Sequence, residues 1–191
     1  WPEGAVSPDL SKWNVESVTT TSEMFRGFWF FDMDLSGWNL ESVEDMSFMF
    51  SRAFLGAGAS FRTRSTFDGK NILAWRGMGR CRTIDSIFHR AMFDRFRDAR
   101  GSVFRSVAHW NVASVESAIL AFADSTFAGD LSRWDTRSLA NATRMFQRAK
   151  EFQSDLSQWD TRSLAYASAM FQAAKEFQSD LSQWDVSKLR R

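Results

Sequence analysis

The chain is short of the residues that mark most chemistries. Cys81 is the only cysteine in 191 residues. An internal disulfide is therefore excluded, and cysteine usage says nothing of the redox compartment. His89 and His109 are the only histidines, and neither falls in a Ser/His/Asp or Cys/His spacing. There is no G-x-G-x-x-G, no P-loop and no metal-ligand pair. Asp94 and Asp98 would share a helix face, but Arg95 and Arg97 between them read as a solvated charged surface. The expectation is a protein without catalysis and without a cofactor. No apolar run approaches the roughly 20 residues that a membrane helix needs. Tyrosine occurs once, against 19 Phe and 9 Trp.

That aromatic excess is a repeat excess. Seven of the Trp sit in one phrase, best kept at Asp130-Leu131-Ser132-Arg133-Trp134-Asp135, Asp155-Leu156-Ser157-Gln158-Trp159-Asp160 and Asp180-Leu181-Ser182-Gln183-Trp184-Asp185. It also opens the chain at Asp9 to Asn14 and Asp34 to Asn39. A period near 25 predicts one small unit per repeat, stacked so that neighbours bury each other's apolar face. The large aromatic once per coil is expected to fill the interior. The repeated Asp is expected to accept hydrogen bonds from its own turn and from the Ser two residues on, rather than to form a calcium ladder.

Within the unit, Leu164-x-x-Ala167-x-x-Met170-Phe171-x-x-Ala174 has the three-and-four spacing of a short helix face. The stretch from Phe177 through Trp184 lacks it and reads as extended. The expected fold class is thus α/β: a leucine-rich-repeat-like solenoid with one short strand and one short helix per coil. Its strands would form a parallel sheet about 4.8 Å apart.

The pattern D-L-S-x-W-[DN]-x-x-S-[VL] followed by M-F-x-x-A resembles the BspA-like surface-protein repeat, a relative of the leucine-rich-repeat proteins. The resemblance covers residues 9–50 and 107–191. It implies a curved solenoid, a place on microbial cell surfaces, and adhesion or protein binding; it supplies no catalytic residues.

The spacing breaks in the middle. The Trp of successive phrases, from Trp13 to Trp184, are 25, 37, 35, 24, 25 and 25 residues apart. The chain therefore reads as a single array, 1–191, with regular coils at 9–50 and 107–191 and an irregular coil with two insertions at 51–106. Charge segregates in the same way. Residues 1–51 carry a net −7, residues 52–105 a net +8, and residues 106–191 balance. The basic segment contains Arg90, Arg95, Arg97, Arg100 and Arg105 beside phenylalanines. Acidic neighbours and an overall charge of +1 favour a protein-facing patch over nucleic acid.

One substitution pattern points to a surface. Where the late repeats place Lys150-Glu151 and Lys175-Glu176, the early ones place Trp29-Phe30, Phe54-Leu55 and Met92-Phe93. Equivalent positions align in a stack, so these six would form an apolar stripe of the size that marks a docking surface. With Arg90, Arg95, Arg97 and Arg100 they are the expected protein interface. The expected function is a non-catalytic protein–protein interaction scaffold, a structural subunit or docking module of a larger assembly. The alternatives are a cell-surface adhesion module and a carbohydrate-binding module using the Trp ladder. Partners are other proteins, with membrane contact only through such an assembly. An organellar (plastid) assembly is the alternative to the cell surface. The chain opens on Trp1 and stops inside a repeat, so more chain or a partner is expected to cover its open end.

Overall fold

The computed structural model describes residues 9–28, 33, 35, 37–55, 75, 77–93 and 107–190. Successive repeats lie one on another, joined by backbone hydrogen bonds. Each coil begins with the phrase around its Trp and continues through a back segment, residues 20–28 in the first coil. There, alternate N–H groups do different things. Met24, Arg26 and Phe28 donate to Thr21, Glu23 and Phe25 at 3.0–3.2 Å, closing overlapping turns. Thr21, Glu23, Phe25 and Gly27 donate instead to Asp45, Ser47, Met49 and Ser51 of the next coil at 2.8–2.9 Å.

This segment is where a helix was expected, and none forms. An α-helix sends every interior N–H four residues back along its own chain. Here a left-handed residue recurs every fourth position: Glu23 and Gly27, Phe48 and Arg52, Ser86 and Arg90, Leu120 and Asp124, Arg144 and Arg148, Ala169 and Ala173. Such a residue stops helix propagation and turns alternate N–H groups outward. The apolar spacing of three and four survives, because the ribbon also returns the same side chains to one face. The only helical pieces among the described residues are two three-residue 3₁₀ turns, Met78–Arg80 and Val107–His109.

Nor do the described residues form the expected parallel sheet with one strand per coil. Single-residue parallel bridges link Thr20, Asp45, Thr83, Ser117, Asn141 and Tyr166 in order, one per coil. They sit seven or eight residues after each Trp, not in the stretch equivalent to Phe177–Trp184. Two two-residue strands, β1 (Phe54–Leu55) and β2 (Met92–Phe93), pair in parallel. The α/β architecture with a strand and a helix per coil is therefore corrected to a stack of turn-built coils.

Side-chain oxygens set the turns between these points. Asn14, Asn39, Asp135, Asp160 and Asp185 each accept the N–H two residues on, at 2.9–3.3 Å. Thr20, Asp45, Thr83 and Asn141 do the same at 2.8–3.3 Å. Short polar side chains that mimic a backbone acceptor are suited to this role.

Columns of rings fill the interior. Phe25, Phe50, Phe88, Phe122, Phe146 and Phe171 stack at successive centroid distances of 5.6, 5.7, 5.6, 5.5 and 5.6 Å. These separations lie within the favourable range for aromatic pairs. A second column runs Phe127, Phe152, Phe177 at 6.2 and 5.7 Å.

Candidate functional site

The repeated carboxylates are turn anchors. Asp9, Asp130, Asp155 and Asp180 accept the N–H of Ser11, Ser132, Ser157 and Ser182 at 2.9–3.0 Å. Ser154 and Ser179, one coil on, add hydroxyl bonds to Asp130 and Asp155 at 3.2 and 3.0 Å. The serine N–H bonds are the main cause that holds Asp130, Asp155 and Asp180 below the ordinary range, and at Asp9 the Ser11 hydroxyl comes first and its N–H second. In the Asp that follows Trp159, the Arg162 side chain is the main cause, and Asp160 falls to about 2. Among the described residues, no three His, Cys, Asp or Glu cluster as metal ligands do. Cys81 is buried, and burial pushes its thiol up to about 12, far from a reactive thiolate.

From Trp38 to Trp159 the Trp ladder faces inward, while Trp13 in the first coil is exposed. Trp38, Trp75, Trp110, Trp134 and Trp159 are all buried. Trp134, Trp159 and Trp184 stack at 6.2 Å, within 7° of parallel, so their faces are used on each other. Four indoles also tie two coils: Nε1 of Trp38, Trp134, Trp159 and Trp184 donates to Leu10, Val107, Leu131 and Leu156 carbonyls at 2.7–3.0 Å. Trp75 Nε1, in the irregular coil, is buried with no partner among the described residues. A ladder packed in this way offers no platform to a sugar ring between Trp38 and Trp159.

The expected interface residues fall into four groups. Trp29, Phe30, Arg95, Arg97 and Arg100 lie outside the described residues. Phe54 and Phe93 enter only through their backbones, which pair with Met92 and Leu55: the register aligns 54–55 with 92–93. Leu55 is fully buried. Counting from Trp misplaced it: Leu55 lies 17 residues after Trp38, as the buried Phe127 does after Trp110, whereas Phe152 lies 18 after Trp134. Leu55 therefore belongs to the core and not to an exposed stripe. Met92 is 54% exposed, and Arg90 beside it is exposed as well.

The structure adds neighbours that the sequence did not single out. Gly27, Arg52, Arg90, Asp124 and Arg148 occupy the same left-handed position in successive coils. Arg148 finds Asp124 at 3.6 Å, and His89 Nε2 lies 3.8 Å from the same carboxylate. Arg26 pairs with Glu23 at 2.9 Å and lies over the Phe48 ring. Arg52 and Arg90 have no ion-pair partner among the described residues. Partial burial is the main cause that lowers the His89 pKa; Arg90, Arg52 and Arg26 add to it, and Asp124 opposes them. On another face, Arg82, Glu44, Ser114 and Glu116 line a groove of about 430 Å³. Within it Arg82 Nη1 contacts Glu116 Oε1 at 2.5 Å.

A family model described as "Mycoplasma protein of unknown function, DUF285" matches residues 4–74 and 90–191. No curated protein and no solved structure matches.

Proposed function

The chain belongs to the family of Mycoplasma proteins of unknown function, DUF285, and on that premise we propose that it is a non-catalytic protein–protein interaction scaffold. It is a repeat protein, and its repeats stack through backbone bonds that leave the outer side chains free to vary. The observation that carries the reading is Met92. A large apolar side chain, 54% exposed, stands where later coils carry Lys150 and Lys175. Exposed Arg90 precedes it by two residues, and arginine is enriched at interfaces together with methionine. The finer likeness to BspA-like surface repeats would put this docking at a microbial surface, as a single array of solenoid form.

The experiment is Met92→Lys in the full chain. Apolar anchors of interfaces contribute about 2 kcal/mol or more when they are real. Capture of the native partner is expected to fall at least tenfold while the urea midpoint stays unchanged. Undiminished capture overturns docking at this position.

A further inference from the structure

We propose that the Arg52–Arg90 column binds an acidic segment of the partner protein, its carboxylates lying across two coils. This rests on the docking reading above and names the chemistry of what docks.

The column's own pattern makes the argument. Equivalent residues of adjacent coils are close neighbours: the Phe50 and Phe88 rings, two residues before Arg52 and Arg90, have centroids 5.7 Å apart. Arg52 N–H donates to the His89 carbonyl at 2.8 Å, so the two segments are hydrogen-bonded at this point. Like charges held opposite one another on neighbouring strands destabilise, and a counter-charge relieves them. Further along, the column supplies its own: Asp124 takes the place next to Arg148 and contacts it. At Arg52 and Arg90 the alternation fails, and two arginines follow each other. Among the described residues the nearby acids are engaged elsewhere, Glu23 with Arg26 and Asp124 with Arg148. An external carboxylate is the complementary group, since guanidinium forks bind it through paired, charge-assisted bonds.

The surroundings select a peptide over other polyanions. Met92, two residues after Arg90, is 54% exposed and offers an apolar contact. A continuous phosphate backbone offers no apolar group to Met92. A segment with one or two acidic residues beside an apolar one meets both features.

The test uses the intact chain, a synthetic peptide alternating Glu and Leu, and nuclear magnetic resonance titration of His89. The groups facing that imidazole are Arg26, Arg52, Arg90 and Asp124. A carboxylate on Arg52 and Arg90 offsets their repulsion of the imidazolium, so the peptide is expected to raise the His89 pKa. Binding should weaken as salt rises. Arg52→Gln with Arg90→Gln should weaken it at least tenfold and remove the His89 response, with the urea midpoint held. The proposal is overturned if His89 does not respond, if the double variant binds as well, or if single-stranded DNA or phosphatidylserine vesicles bind more tightly than the peptide. Failure here leaves the Met92→Lys result on the native partner standing, so the two readings fall separately.

Discussion

Phe146→Ala is expected to destabilise the chain by about 3–5 kcal/mol, read as a lowered urea midpoint. Phe146 is fully buried. Its ring lies 5.5 Å from Phe122, 4.0 Å from Phe152, 5.6 Å from Phe171 and 6.2 Å from Trp159. Removing it leaves a cavity at the crossing of the two phenylalanine columns and the Trp ladder. The backbone around it is pinned on both sides, by Phe122 N–H to Met145 O and Phe146 N–H to Met170 O, each at 2.9 Å. Collapse into the void is therefore restricted, and the full cavity penalty applies. Phe177→Ala is the control. The same residue type is half-buried at the edge of the stack, so its loss should be clearly smaller. Equal effects would mean that the stack does not carry its core in these columns.

Ala169→Gly combined with Ala173→Gly is expected to stabilise the chain, by roughly 1–2 kcal/mol for the pair. Both alanines are exposed and both are left-handed, with φ of 55° and 59°. An L-residue there is strained by about 1–2 kcal/mol, while glycine adopts the conformation freely. The first coil already shows the solution, since Gly27 holds this place at φ 70°. The sign is diagnostic. In a helix each Ala→Gly change would cost about 1 kcal/mol. Urea unfolding of the double variant thus separates the turn ribbon from the helix that the apolar spacing suggests.

That ambiguity explains what was legible in the chain. The phrase around each Trp announced its own structure: Asp130 and Asp155 hold the serines two residues on, and Trp134 and Trp159 are interior. The alignment of Phe54-Leu55 with Met92-Phe93 is the register of β1 with β2. The back segment was not legible, because Leu164, Ala167, Met170 and Phe171 have a spacing that serves both a helix and a ribbon of left-handed turns. Glycine would have signalled the difference, but Phe48, Arg52, Leu120 and Arg144 take the left-handed positions instead. Inter-coil hydrogen bonds hold them there, and no single repeat reveals such bonds. The Arg52–Arg90 pairing was hidden for a similar reason. Those residues are 38 positions apart, across an insertion, and only the fold sets them in one column.

Amide hydrogen exchange on the intact chain tests the central claim, that alternate N–H groups of each back segment bond to the next coil. Ala142, Arg144, Phe146 and Arg148 donate to Tyr166, Ser168, Met170 and Gln172 at 2.8–2.9 Å. Their counterparts Ala167, Ala169, Phe171 and Ala173 have no acceptor among the described residues. Strong protection is predicted for the first four and little for the second four, with Met170, Gln172 and Ala174 slower than the residues between them because they close turns. Continuous protection from Ala167 through Ala174, as in a helix, would contradict the account.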